Sequence, residues 1–137
     1  MESVWKPYNP HPKKKIVADC VKRTVCAVTG WDYMYVQRML NRIKNDLIAQ
    51  GHIEIQSFRS RKVGIELCRR MGWERIGNDD DHECYDEMTG VLFAKSHPTG
   101  KYILQMPNHW VACVNGQLWD TYDTSQKGVA WAFVVER

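Results

Sequence analysis

The sequence lacks any long apolar segment. Its longest uninterrupted apolar run has seven residues, Val129 to Val135, whereas a membrane-spanning helix needs about 20. The N-terminal region mixes lysines (Lys6 and residues 13–15) with prolines and offers no apolar stretch that would serve as a signal peptide. Internal repeats and low-complexity tracts are also absent. We therefore expect a cytoplasmic protein with no membrane partner.

The cysteines lack the spacing of a disulfide framework or a zinc ribbon. They are odd in number, scattered along the chain, and include no CxxC pair. His82 and Cys84 lie in an acidic segment, residues 77–90, where two soft ligands without a second pair are a weak metal signal. We expect reduced thiols, a solvated acidic loop at residues 77–90, and neither a metal nor another cofactor. The five cysteines are Cys20, Cys26, Cys68, Cys84 and Cys113.

Length and composition are those of one ordinary globular domain. The chain has 137 residues, 44% of them apolar and 26% charged, which excludes the disordered, collagen-like and coiled-coil classes. The net charge of +3 is uneven: residues 1–76 have 15 Lys/Arg against 7 Asp/Glu, and residues 77–137 have 4 against 9. A basic half can bind nucleic acid, but two halves of one domain can also neutralise each other. Nucleic acid is therefore the less favoured partner.

The order of the predicted elements indicates an α+β fold. Residues 1–15, with three prolines, are expected to form an extended arm, and residues 16–137 a single domain. Apolar spacing and capping residues predict helices at Cys20–Thr29 after Asp19 as N-cap, between Asp32 and Gly51, and at Ser60–Met71. Strands are predicted at Ile53–Ile55, Lys101–Met106, His109–Val114, Gln117–Tyr122 and Ala130–Val135. The N-terminal helices would pack on a C-terminal antiparallel sheet.

A hairpin in the C-terminal half fixes the first part of a candidate site. Asn115-Gly116 lies between two apolar or alternating runs, which is the strongest short-range signal for a two-residue hairpin turn. Counting back from this turn, Val111 opposes Asp120, and His109 lies on the same face two residues earlier. Asp120 can then accept a hydrogen bond from one imidazole nitrogen and leave the other nitrogen free to act as a base.

Cys20 is the candidate nucleophile for this base. It falls in the first turn of the first predicted helix, where free amide donors and the helix dipole stabilise a thiolate, and a nearby imidazolium would add to that effect. The backbone N–H groups of the same helix end would stabilise an oxyanion when the thiolate attacks a carbonyl. Since cysteine is among the most buried residue types, Cys26, Cys68 and Cys113 are interpreted as core residues.

Several stretches of the chain resemble small papain-like (cysteine-peptidase-fold) proteins, many of them encoded by bacteriophages. The resemblance spans residues 16–135 and is carried by residues 19–23 (DCVKR), 97–103 (HPTGKYI), 109–112 (HWVA) and 116–123 (GQLWDTYD), with Thr29-Gly30 and Tyr33. It implies a papain-like α+β fold with Cys20 as nucleophile, His109 as general base and Asp120 as the acid that orients it. It also implies hydrolysis of a peptide or isopeptide bond in a protein or peptide substrate, which would be a host protein if the chain is phage-encoded.

The family usually has a Gln or Asn shortly before the cysteine to donate a second oxyanion hydrogen bond. Five residues before Cys20 this chain has Lys15 with Lys14 beside it, and Asn9 is the nearest upstream amide. The second donor therefore stays open between a lysine and Asn9. Lys15 belongs, with Lys22 and Arg23, to a basic rim that would lower the thiol pKa or attract an acidic substrate. Trp110 and Trp119, next to the site, would either line a substrate groove or be core residues.

Each signal has a plainer interpretation. His109 and Asp120 are also compatible with ordinary polar positions of a hairpin, and the lysines with a solvated arm. The same three residues serve peptide hydrolysis, deamidation and transglutamination, so the sequence leaves these reactions open. A catalytically inactive papain-fold protein that binds a partner is the alternative function.

Overall fold

The structure of the chain is a computed structural model that describes residues 3–77 and 87–137. Its elements run in the order β1 (Trp5–Pro7), α1 (Cys20–Thr29), α2 (Tyr33–Ala49), α3 (Arg61–Met71), β2 (Glu74–Gly77), α4 (Gly90–Ser96), β3 (Lys101–Met106), β4 (His109–Val114), β5 (Gln117–Asp120) and β6 (Trp131–Glu136). The described residues thus form four helices and six strands, an α+β protein. Among these helices the longest has 17 residues, and none combines the length and apolar character that crossing a bilayer requires.

The six strands form one mixed sheet in the order β1-β5-β4-β3-β6-β2. β1 runs parallel to β5, and every other neighbouring pair is antiparallel. The expectation of an antiparallel sheet was therefore wrong at one edge, where residues of the predicted N-terminal arm add a parallel strand. This strand ties the arm to the hairpin that carries Asp120, because Pro7 pairs with that residue.

Helices cover both faces of the sheet. Trp110, Ala112 and Val114 of β4 pack with buried residues of α1, α2 and α3 in one apolar cluster. The alternate residues Val111 and Cys113 belong to a second cluster with residues of α4, as the period of two in a strand requires. The strand β4 is therefore buried on both sides, which holds His109 at its first residue in a fixed place.

The first three helices begin where capping residues predict. The side chain of Asp32 accepts hydrogen bonds from the amides of Met34 and Tyr35 at the start of α2, and that of Ser60 accepts one from Lys62 at the start of α3. α1 differs, because Asp19 occupies the N-cap position without a capping hydrogen bond from its side chain. The predicted bounds of α1 and the N-cap position of Asp19 are therefore confirmed, without a capping hydrogen bond from the side chain.

Other elements depart from the prediction. The predicted strand at Ile53–Ile55 is a turn region in which Ile53 is 83% exposed, whereas β2 and α4 were not predicted. Residues 78–86 of the expected acidic loop, with the weak metal candidates His82 and Cys84, lie outside the described residues.

Candidate active site

Cys20 is the first residue of α1 and is partly exposed. The first amides of a helix have no partner within the helix, and the dipole places partial positive charge there. The Asp19 carboxylate does not occupy these amides, because it accepts hydrogen bonds from the Tyr33 hydroxyl at 2.6 Å and from the Arg23 guanidinium instead. The amides of the first turn are thus left to stabilise negative charge at Cys20 or on a bound oxyanion.

His109 and Asp120 meet as the hairpin geometry predicts. The pairs Cys113–Leu118 and Val114–Gln117 have the register expected for an Asn115-Gly116 turn. His109 Nε2 lies 2.6 Å from Asp120 Oδ2, a hydrogen-bond distance. This bond orients the ring and leaves Nδ1 as the nitrogen for the Cys20 thiol.

The Asp120 side chain is fully buried and has several partners. Its Oδ1 accepts a hydrogen bond from the Arg23 guanidinium at 2.8 Å and one from the backbone amide of Thr121 at 2.7 Å. Arg23 is only 4% exposed and bridges Asp120 to Asp19. A buried carboxylate needs such partners to stay ionised. Arg23 therefore binds both Asp120, the predicted orienting acid, and Asp19, the residue before Cys20.

The charges of Cys20 and His109 are coupled. Burial alone would raise the pKa of the Cys20 thiol. The pKa is nevertheless below the ordinary value of 9.0, because the thiol has hydrogen bonds with the His109 ring and the Trp110 backbone amide. The positive charges of His109 and Arg23 lower it as well. Burial alone would lower the pKa of His109, but hydrogen bonds and charge interactions with Asp120 and Cys20 raise it to about 9. These opposite shifts favour a thiolate–imidazolium pair.

The other described cysteines have the opposite character. Burial raises the pKa of Cys26 and of Cys113 to about 12, and it raises the pKa of Cys68 further. All three are buried and free of disulfides. A buried thiol with a raised pKa is inert, as the sequence-based interpretation of these three residues requires.

Two cavities flank Cys20 and His109, which line both. One, of about 390 Å³, extends toward α3 and is also lined by Trp110, Gln105 and Glu54. The other, of about 340 Å³, extends toward the segment before α1 and is also lined by Val17 and Tyr122. Asn108 and Arg59 line both cavities as well. A substrate chain that enters both cavities would pass over the Cys20 sulfur.

The predicted substrate-binding residues lie in different places. Trp110 lines the larger cavity but is 1% exposed, and its indole N–H donates to the Gln105 side chain, so it is mainly a core residue. Trp119 lines neither cavity and packs instead against Tyr8 and under the ammonium of Lys6, which lies 4.0 Å from the ring centroid.

The candidates for the second oxyanion donor also lie away from the two cavities at Cys20. The Asn9 side-chain amide donates to the backbone carbonyl of Lys15, and the Lys14 ammonium donates to the backbone carbonyl of Asn9. Lys15 lines a third cavity, of about 350 Å³, together with Lys13 and Arg59. The structure therefore does not bring Lys15 or Asn9 to the sulfur.

The basic rim is only partly as predicted, because the positive charge of Arg23 lowers the pKa of Cys20 but Lys22 and Arg23 are not exposed to a substrate. Lys22 and Arg23 are each 4% exposed. The Lys22 ammonium donates to the Gln37 side chain at 2.7 Å and lies 3.9 Å from the centroid of the Tyr33 ring, while Arg23 binds the two aspartates. Sequence analysis missed this role of Arg23, although its four-residue spacing from Asp19 on a helix was a signal for the ion pair. It also missed Arg59 and Asn108, which lie in loops with no motif.

Comparison of the chain with protein-family models, with curated proteins and with solved structures finds no match. The resemblance to papain-like proteins therefore stays a prediction from the sequence.

Proposed function

We propose that the chain is a papain-like cysteine hydrolase that cleaves a peptide or isopeptide bond through an acyl-enzyme on Cys20. The single observation that carries this proposal is the meeting of three groups from distant parts of the chain. They are a thiol of lowered pKa at a helix N-terminus, an imidazole of raised pKa, and a buried carboxylate 2.6 Å from that imidazole. Such a set is the recurring arrangement for nucleophilic catalysis.

In the first step the Cys20 thiolate attacks the carbonyl carbon of the scissile bond. A carbon–sulfur bond forms, and the carbonyl oxygen takes the negative charge, which the first-turn amides of α1 stabilise. The carbon–nitrogen bond then breaks as the His109 imidazolium gives its proton to the leaving amine. The product is a thioester on Cys20 and a neutral imidazole held by Asp120.

In the second step water releases the acyl group. The neutral His109 ring takes a proton from water, whose oxygen attacks the thioester carbon, and the carbon–sulfur bond breaks. The carboxylic acid leaves, and the thiolate–imidazolium pair is restored. Since this chemistry needs a reduced thiol, we place the reaction in a cytoplasm. A protein or peptide, including a host protein if the chain is phage-encoded, is the proposed substrate.

An active-site-directed electrophile tests the proposal. The protein is incubated near neutral pH with an electrophilic cysteine-peptidase inhibitor, and the adduct is located by mass spectrometry of proteolytic fragments. Among the four described cysteines we expect one adduct, on Cys20, because the thiolate reacts and the buried thiols do not. In the Cys20→Ser variant the other three described cysteines should remain unlabelled.

The alternative, a papain-fold binding protein without catalysis, predicts a different labelling pattern. Equal and slow labelling of Cys20 and Cys26, or labelling of Cys20 that is unchanged in a His109→Ala variant, would contradict the hydrolase proposal and favour the binding protein.

A further inference from the structure

Among the residues that the structure describes, Arg59 is the one charged residue that lines all three of these cavities. It lies two residues before α3 and is exposed. It lines the two cavities that share Cys20 and His109, and also the third cavity beside the N-terminal segment, where Lys13 and Lys15 lie. Its guanidinium carbon is 5.2 Å from the centroid of the Phe58 ring, a cation–π distance that favours one orientation of the side chain.

The carboxylates in the two cavities at Cys20 are already occupied. Glu54 binds the Lys62 ammonium at 2.9 Å, and Asp19 binds Arg23 and Tyr33. Arg59, by contrast, makes no ion pair within the part of the chain that the structure describes. The two cavities that Cys20 lines are therefore also lined by an unneutralised guanidinium.

We propose that Arg59 binds a carboxylate of the substrate, so that the site takes peptides with an Asp or Glu side chain close to the scissile bond. This inference depends on the proposed hydrolase function. A guanidinium fits a carboxylate with two parallel hydrogen bonds, which adds geometric specificity to charge attraction. Lys13 and Lys15 extend the positive potential along the third cavity and would attract further acidic residues of the same substrate.

The positions of the cavities favour a peptide over a nucleic acid. Arg59 lines the same two cavities as a thiol whose chemistry needs an acyl carbon. These cavities, of about 340 and 390 Å³, have the size of ligand pockets. A nucleic-acid backbone would instead be followed by cations distributed over an extended surface.

A pair of small alkylating reagents tests the electrostatic part without any substrate. Iodoacetate and iodoacetamide both form a carbon–sulfur bond with the Cys20 thiolate and release iodide, but only iodoacetate carries a carboxylate. The intrinsic reactivity of the sulfur affects both rate constants equally and cancels in their ratio. The ratio therefore reports the electrostatic potential at Cys20. We expect Arg59→Gln to lower the iodoacetate-to-iodoacetamide ratio about threefold at low salt.

The matched control is Arg42→Gln, which removes the same charge from an exposed position of α2 that lines none of the three cavities. It should leave the ratio unchanged. An equal ratio in the wild type and Arg59→Gln, with Cys20 still reactive, overturns the proposal for Arg59 but not the hydrolase. A Cys20 that reacts with neither reagent faster than the buried cysteines overturns the hydrolase itself.

A peptide library then tests the substrate class directly. Cleavage of a mixture of peptides by the wild type should enrich Asp or Glu near the cut bond, and kcat/KM for an acidic peptide should exceed that for its Asn or Gln counterpart by tenfold or more. Arg59→Gln should reduce this preference at least fivefold, whereas Arg42→Gln should keep it. Cleavage without acidic preference overturns the proposal, as does tighter binding of a single-stranded oligonucleotide than of any acidic peptide.

Discussion

Replacing His109 by alanine is expected to slow the alkylation of Cys20 about tenfold near neutral pH and to lower peptide hydrolysis by a factor of about 10³ or more. An ordinary thiol of pKa 9.0 is only about 1% ionised at pH 7. Without the imidazolium, burial would raise the pKa of Cys20 and reduce this fraction further. The loss in hydrolysis is larger because the leaving amine also loses its proton donor.

The measurement is the second-order rate constant for iodoacetamide at Cys20, followed by mass spectrometry, together with hydrolysis of a peptide that the wild type cleaves. The control is His52→Ala, which removes a half-exposed imidazole that lines neither cavity at Cys20. This control should keep both rates within about twofold of the wild type, as expected for a surface position. A His109→Ala variant as reactive as the wild type would show that His109 does not activate the thiol.

The second large effect is expected on stability, from Arg23→Met. Arg23 is 4% exposed and binds two carboxylates, Asp19 and Asp120, which are 3% and 0% exposed. Removing one member of a buried ionic group leaves the others uncompensated, which costs about 3–5 kcal/mol. Since a domain of this size is stable by about 5–15 kcal/mol, the variant should unfold at a markedly lower urea concentration.

Urea denaturation measures the free energy of unfolding of Arg23→Met, with Arg42→Met as the control at an exposed position. Arg42→Met should change stability by less than about 0.5 kcal/mol. Arg23→Lys keeps the charge but has no planar fork that can reach both aspartates, so we expect an intermediate loss. If Arg23→Met were as stable as the Arg42→Met control, the ion pairs would have no structural role.

Local signals in the sequence were sufficient for two of the helices and for the hairpin that carries His109 and Asp120. The N-caps Asp32 and Ser60 fixed the starts of two helices, and the Asn115-Gly116 turn fixed the register that joins His109 to Asp120. Both signals act over a few residues, because a cap bonds its own first turn and a two-residue loop accepts one backbone geometry. Position within the hairpin was then enough to predict a side-chain contact.

The elements and residue roles that the sequence did not predict depend on contacts between distant segments. β1 has only three residues and ends at Pro7, so nothing local distinguishes it from an arm; it becomes a strand through parallel pairing with β5. β2 has no apolar alternation and depends in the same way on β6. Arg23 belongs to a charged stretch that is typical of a solvated surface, and its burial follows from Asp120, 97 positions later.

The most direct test of the account is a titration of the Cys20 thiolate, measured as the ultraviolet absorbance of the wild type minus that of Cys20→Ser. The lowered pKa of Cys20 and the pKa of about 9 for His109 define a window in which thiolate and imidazolium coexist. Below the pKa of Cys20 the thiolate is lost, and above about 9 the imidazolium is lost. We predict that the midpoint of the thiolate signal lies below pH 9.0, the ordinary pKa of the thiol. A thiolate that appears only near or above pH 9.0, the ordinary pKa of the thiol, would contradict the account.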